Sequence, residues 1–160
     1  MKKITVLALL IVSLLLPIGK AALASGNWLV QGTTAMETLT FPGGKGPVSL
    51  LLNYNQNNMC IPEVSMIVWS DRSQVLGNFI KRKSTTDKMV VTIDGQSFTG
   101  SITATKYSNA LDASFVVTEQ FVNRLKSGKQ ALVQLYNAPI VGFPLDGGAD
   151  TIESARKNCR

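Results

Sequence analysis

The stretch Met89-Val90-Val91-Thr92-Ile93-Asp94-Gly95 decides the class of fold to which this chain belongs. Its first five residues are apolar or β-branched, which is typical of a strand, and Asp-Gly is a strong signal for a two-residue hairpin turn. Ser97–Thr105 follows the turn and is predicted to be the partner strand. The sequence therefore predicts an antiparallel sheet built around this hairpin.

Short runs of β-branched and aromatic residues extend the same pattern on both sides of the hairpin. The predicted strands are Asn27–Thr34, Val48–Asn55, Glu63–Ser70, Ser73–Lys81, Asp112–Val117, Gln130–Tyr136 and Pro139–Leu145. Trp28 and Val30 are expected on one face of the first strand. Turns rich in glycine and proline (41–47) or in asparagine (53–58) separate several of these strands.

Two short helices are predicted in the C-terminal half. Thr118 is suited to cap a helix over Glu119–Lys126 that ends before Gly128, with Phe121, Val122 and Leu125 facing the core. The second helix is expected from Gly148 to Lys157, with acidic residues near its start and basic residues near its end. The predicted fold is therefore mainly β: an antiparallel β-sandwich or curved sheet with two short helices, one of them at the C-terminus.

Residues 1–24 have the pattern of a secretory signal peptide. Lys2 and Lys3 precede an apolar run, Ile4–Ile18, and Ala22-Leu23-Ala24 presents small residues at the expected cleavage site. The run is about 15 residues long, short of the roughly 20 that span a bilayer. We predict cleavage after Ala24, a single β-rich domain over 25–160 without a transmembrane segment, and a periplasmic or secreted location.

The charge of the chain does not favour nucleic acid as a partner. The formal net charge is +6, from 16 basic and 10 acidic residues. Loss of Lys2, Lys3 and Lys20 with the signal peptide would leave 13 basic residues and a net charge of +3. That value is ordinary for a soluble domain.

The two cysteines, Cys60 and Cys159, are expected to form a disulfide in an oxidising compartment. The bond would close a loop of about 100 residues, worth up to ~4–5 kcal/mol in the chain-entropy model. Ile152, Ala155 and Cys159 fall on one side of the predicted C-terminal helix, which places the sulfur of Cys159 on the buried side. Two free thiols remain the alternative.

The chain contains no histidine, which removes the commonest general base and metal ligand. We predict no catalytic residues, no metal site and no cofactor. Asp146, Asp150 and Glu153 gather three carboxylates, but helix capping and the helix dipole account for them. Ser154 and Lys157 match an S-x-x-K pattern in a context that does not fit the enzymes that use it.

Three features are candidates for binding. Lys81, Arg82, Lys83 and Lys88 form a basic loop suited to an acidic partner surface or to anionic lipid, with a solvated loop as the alternative. Tyr107 lies in a polar segment and is expected to be exposed. The asparagine-rich stretch 53–58 offers amide hydrogen bonds to a sugar or peptide, although such turns are also common without this role.

The C-terminal half resembles the invasion-associated locus B family of bacterial envelope proteins. The resemblance rests on the strand ending in Ile93-Asp94-Gly95, the helix ending in Leu125-Lys126-Ser127-Gly128, and Phe143-Pro144-Leu145-Asp146-Gly147-Gly148 before a terminal helix. It covers about Met89 to Cys159. The resemblance implies a secreted or periplasmic β-rich bacterial protein without known catalytic residues, and an association with host interaction.

These observations favour a non-enzymatic binding or accessory protein of the bacterial envelope whose partner is an envelope or secreted protein. The alternative is a periplasmic inhibitor or immunity protein against a cell-wall hydrolase, with Lys81–Asp87 or Phe41–Pro47 as the inserted loop. A third hypothesis is an enzyme that uses only aspartate, glutamate, lysine, serine or tyrosine side chains, since two carboxylates are enough in glycosidases.

Overall fold

A computed structural model of the protein describes residues 27–40, 47–69, 88–135 and 139–160. These residues form two antiparallel sheets and two α-helices, which confirms the predicted fold class. The strands are β1 (Leu29–Gln31), β2 (Thr34–Leu39), β3 (Val48–Asn55), β4 (Ile61–Trp69), β5 (Lys88–Ile93), β6 (Gln96–Ser101), β7 (Thr103–Lys106), β8 (Ala110–Val116), β9 (Gln130–Leu135) and β10 (Val141–Pro144). The helices are α1 (Glu119–Ser127) and α2 (Gly148–Asn158).

The large sheet has six strands in the order β1-β2-β3-β4-β8-β7, and the small sheet has four in the order β10-β9-β5-β6. The predicted hairpin joins β5 to β6, with Ile93 opposite Gln96. Asp94 and Gly95 have φ values of 45° and 85°, as a type I′ turn requires. The hairpin prediction is therefore confirmed, and the hairpin forms the centre and one edge of the small sheet.

Two predicted strands are divided in the structure. Asn27–Thr34 was expected to be continuous, but Gly32 turns the chain at a φ of 57°, so that β1 pairs back onto β2. As a result Trp28 is buried while Val30 lies exposed on a sheet edge. Ser97–Thr105 breaks at Ile102 because the chain passes there from β6 in the small sheet to β7 in the large one.

The inner face of the large sheet forms the main core. Side chains on this face alternate along β2, β3, β4 and β8 with those of the opposite, outer face, as the period of a strand requires. The most buried inner residues are Ala35, Leu50, Leu52, Val64, Val68, Leu111 and Ala113. The small sheet covers this face at the β8 end, and α2 covers it at the β1–β3 end.

The two sheets come close together at Gly100 of β6 and Phe115 of β8. A Cβ atom at Gly100 would lie 2.0 Å from the ring of Phe115, so only glycine fits at this distance. Phe121 of α1 makes edge-to-face contacts with Phe115 and with Phe98, at centroid distances of 6.4 and 5.1 Å. These three rings join the two sheets and the first helix into one core.

Both helices begin and end within one residue of their predicted bounds. The Thr118 hydroxyl accepts a hydrogen bond from the backbone N–H of Phe121 at 3.4 Å and caps α1. Residues Phe121, Val122 and Leu125 of α1, and Ile152 and Ala155 of α2, are buried as predicted. At the start of α2, Gly148 lies against the indole of Trp28, which donates a hydrogen bond to the carbonyl oxygen of Pro144 at 3.1 Å.

Several predictions concern residues outside the described ranges: the signal peptide over 1–24, most of the turn over 41–47, the strand Ser73–Lys81, and the basic residues Lys81, Arg82 and Lys83. Within the described ranges, neither helix has the length and apolar character that crossing a bilayer would need.

Candidate functional site

The structure places the sulfur atoms of Cys60 and Cys159 at a bonding distance of 2.10 Å. Cys60 follows the asparagine-rich turn after β3, and Cys159 follows the last residue of α2. The bond therefore ties the end of the terminal helix to the β3–β4 connection, across a sequence separation of 99 residues.

A shallow cleft of about 430 Å³ lies beside this bond, between Met59, Pro62, Glu119, Arg156 and Arg160. Arg156 and Glu119 form an ion pair across it at 3.1 Å. This ion pair links α2 to α1, so contact between the two helices accounts for both charged side chains without a ligand.

The asparagine-rich stretch is occupied by structural hydrogen bonds. The side-chain oxygen of Asn53 accepts from the Thr34 hydroxyl at 3.0 Å, and that of Asn55 accepts from the backbone N–H of Asn57 at 2.9 Å. The amide of Gln56 donates to the carbonyl oxygen of Asn158 at 3.3 Å. These contacts use several of the amide groups that the sequence suggested for a ligand.

Glu153, one of the three gathered carboxylates, and Asp94 of the hairpin turn also have structural partners. Glu153 of α2 pairs with Lys126 of α1, whose ammonium group donates a hydrogen bond and holds the pKa of Glu153 below its usual value. Asp94 accepts from the backbone N–H of Lys129 at 3.1 Å. Within the described ranges there is no cluster of three or more histidine, cysteine or acidic side chains suited to a metal ion.

The outer face of the large sheet brings together residues of which the sequence singled out only Asn53, as part of the asparagine-rich stretch. The strand register aligns its side chains in three rows. The first is Gln31, Thr34, Asn53, Glu63 and Val116; the second is Leu29, Met36, Leu51, Ser65, Ser114 and Thr103; the third is Thr38, Ser49, Ile67, Asp112 and Thr105.

Glu63 in the first row and Asp112 in the third row each interact with a serine of the middle row. Ser114 donates a hydrogen bond to Glu63, and the Ser65 hydroxyl interacts with Asp112. Burial raises the pKa of Asp112, the negative charge of Glu63 adds to this rise, and the Ser65 hydroxyl opposes it. The Oδ1 atom of Asp112 is buried and has no hydrogen-bond partner among the described residues.

An open cleft of about 410 Å³ borders the third row at Ile67 and Asp112. Trp69 at the end of β4 and Tyr107 in the β7–β8 turn are its aromatic walls, and Ile67, Ala110 and Asp112 line it below. The indole of Trp69 donates to the Ser49 hydroxyl at 3.4 Å, which fixes the ring at the edge of the face. Tyr107 is 53% exposed. We call this the Trp69–Tyr107 cleft.

The predicted site residues thus separate into different parts of the molecule. Tyr107 is part of the cleft, whereas Lys88 lies exposed at the start of β5 in the small sheet. Sequence reasoning missed Glu63 and Asp112 because each looks like one polar residue in an alternating strand. Only the pairing of β4 with β8 brings the two carboxyls to the same pair of serines.

No family model matches the chain, and no curated protein matches it. Among solved structures the chain is similar to invasion associated protein b from Bartonella henselae, with a TM-score of 0.40 and 11% sequence identity. The match covers 81% of this chain and 94% of that one. At this TM-score the similarity assigns neither an activity nor the position of a site.

Proposed function

We propose that the protein is a non-enzymatic binding module of the bacterial envelope or its exterior, and that it contacts a protein partner through the outer face of the large sheet. The observation that carries the proposal is the composition of this face. It combines apolar side chains with two carboxyl groups and an aromatic cleft, on a rigid scaffold of six paired strands.

The outer face is more apolar than exposure to water would require. An antiparallel sheet with one solvated face usually alternates apolar residues inside with polar residues outside. Here Leu29 is 59% exposed and lies in the middle row beside half-buried Met36 and Leu51. The rows on either side add half-buried Ile67 and Val116, which is 60% exposed. Apolar side chains grouped within a polar surround are typical of surfaces that bind other proteins.

A disulfide between Cys60 and Cys159 fits an oxidising compartment, where such bonds persist. It agrees with the secretory signal predicted over residues 1–24. The association with host interaction stays a prediction from the sequence resemblance. The inhibitor hypothesis also stays a prediction, since its proposed loops fall almost entirely outside the described residues.

The proposal of a binding role rests partly on the chemistry that this chain lacks. Without histidine, acid–base catalysis would depend on carboxyl, lysine or tyrosine side chains, and the carboxyls on the outer face interact with serine hydroxyls of the same sheet. These serines have no histidine or lysine in their rows that would make them nucleophiles. The arrangement therefore favours recognition of a surface over bond-breaking.

The test is affinity capture with crosslinking from the protein's own cells, read by mass spectrometry, with two matched variants. Leu51→Arg places a charged side chain in the middle row of the outer face, whereas Thr99→Arg places the same side chain on β6 of the small sheet. We expect one dominant partner with the unmodified protein and with Thr99→Arg. Purified partner should bind Leu51→Arg at least about tenfold more weakly.

Equal binding of the partner by Leu51→Arg and by the unmodified protein would show that the outer face is not the contact surface. A reproducible hydrolase activity of the purified protein, abolished by Glu63→Gln or by Asp112→Asn, would overturn the non-enzymatic proposal. These two carboxyls are chosen because they lie on either side of the two serines of the middle row, and because Asp112 also lines the cleft.

A further inference from the structure

The charge of the outer face differs in sign from that of the chain. The chain has 16 basic and 10 acidic residues, yet the three rows of the face contain two acidic residues, Glu63 and Asp112, and no lysine or arginine. Lys106 of β7 lies opposite Leu111, an inner-face residue, and so is not part of the outer face. The rows of the outer face, as far as the structure describes them, therefore carry acidic side chains and no basic ones.

Of the two carboxyls, Asp112 lies beside an opening that a ligand can enter. Asp112 lines the Trp69–Tyr107 cleft, and its Oδ1 atom lacks a hydrogen-bond partner among the described residues. A buried carboxyl oxygen without a donor costs free energy, which a donor from outside would recover. Asn109 at the edge of the cleft adds a polar side chain beside the opening.

The walls of the cleft are suited to the same type of group. Trp69 and Tyr107 present aromatic rings, and such rings attract a cation placed over their faces. The indole of Trp69 is held by its hydrogen bond to Ser49, so this wall is already in place before a ligand arrives. A planar cation with several N–H donors meets both requirements, since it stacks on aromatic rings and donates to a carboxylate.

We propose that the Trp69–Tyr107 cleft binds the guanidinium group of an arginine side chain presented by the protein partner, with Asp112 as the acceptor of its hydrogen bonds. This inference rests on the proposed function and specifies the chemistry of that surface. The apolar side chains of the outer face provide the contact area, and the cleft selects a partner with an arginine at the matching position.

The test uses NMR titration of the purified protein with two short peptides. The first is Gly-Arg-Gly-Arg-Gly, and the second contains citrulline in place of arginine, which keeps the shape and most donors but removes the charge. We expect the arginine peptide to shift the indole signal of Trp69 and the amide signal of Ala110. The citrulline peptide should bind at least about tenfold more weakly, and added salt should weaken the arginine peptide.

Variants separate the carboxyl from the aromatic wall. Asp112→Asn should weaken binding of the arginine peptide at least about tenfold. Asp146→Asn removes an exposed carboxyl that does not line the cleft, and it should leave the affinity for this peptide within about twofold. Tyr107→Ala should weaken the peptide severalfold, and Tyr107→Phe should restore most of the affinity because the ring remains. Unchanged signals outside the cleft show that each variant is folded.

Equal affinity for the citrulline peptide, shifts located away from the cleft, or no effect of Asp112→Asn would overturn the inference. Binding of a neutral oligosaccharide that displaces the arginine peptide would assign the cleft to a sugar instead. The proposed function fails separately: if Leu51→Arg abolishes partner binding while the arginine peptide does not bind, the outer face is the interface and the arginine site is wrong.

Discussion

Glu37 on the inner face of the large sheet and Asp112 on its outer face are both carboxyl groups whose pKa is raised by burial. Glu37 is fully buried in a row with Leu50, Met66 and Ala113, and its pKa rises to about 7. Its carboxyl oxygens have no hydrogen-bond partner among the described residues, although the nearby backbone of Asn27 acts to lower the pKa.

The two groups differ in what can offset the free-energy cost of burying a charged carboxyl. Glu37 is enclosed by the core, so protonation is the available way to remove its charge. Asp112 has the Ser65 hydroxyl on one side and the Trp69–Tyr107 cleft on the other, so a bound donor can stabilise its charged form. The comparison teaches that burial has different consequences on the two faces: the inner carboxyl is enclosed by apolar neighbours, whereas the outer one borders an open cleft.

The largest effect should come from truncating neighbouring leucines on opposite faces. Leu50→Ala removes a fully buried inner side chain and should lower the free energy of unfolding by about 2–5 kcal/mol. Leu51→Ala removes a half-buried outer side chain and should cost about 1 kcal/mol or less. Urea denaturation of both variants measures the difference, and equal losses would contradict the distinction between the two faces.

A smaller effect is expected from Glu37→Gln. Because the pKa of Glu37 is about 7 in the folded protein, against an ordinary value of 4.5 for an unfolded chain, the folded state retains a proton that the unfolded state loses. The stability contributed by protonated Glu37 is complete below pH 4.5 and is lost as the pH rises to about 7. At pH 8 the variant should be more stable by on the order of 3 kcal/mol.

Thermal or urea unfolding from pH 4 to pH 8 measures this dependence. Glu37→Gln should flatten the fall in stability, whereas Asp146→Asn, which changes an exposed carboxyl, should leave the fall in place. A variant curve parallel to that of the unmodified protein would show that Glu37 does not titrate in this range.

The smallest effect concerns the coupling of the two outer carboxyls. The charge of Glu63 contributes to the raised pKa of Asp112, so Glu63→Gln should lower the pKa of Asp112 toward its ordinary value. A carboxyl-carbon NMR titration of Asp112 detects the shift. No movement of this pKa would mean that burial and the Ser65 hydroxyl set it without Glu63, and that the two carboxyls act independently on the outer face.

The parts of the fold that local chemistry determines were predictable from the sequence. Val48–Asn55 is a strand with the predicted bounds, because its apolar centre leaves few alternatives. The Asp94-Gly95 turn and the Thr118 cap also follow from the residues at those positions. Each of these signals acts within a few residues of the chain.

The parts that depend on strand order were not predictable in the same way. The break at Ile102 is set by the passage between two sheets, and the turn at Gly32 is set by the return of β2 along β1. Glu63 and Ser114 are 51 residues apart in sequence and meet because β4 pairs with β8. The aromatic walls of the cleft likewise come together through that pairing, and no spacing in the sequence expresses it.

The close approach of Gly100 to Phe115 has a consequence for how this sequence can diverge. Since a Cβ atom at position 100 would overlap the phenylalanine ring, the two positions share one fixed volume between the sheets. A side chain gained at position 100 demands a smaller residue at position 115. Homologous sequences should therefore show compensating pairs at these positions, and this covariation would report the spacing of the two sheets in proteins for which no structure is known.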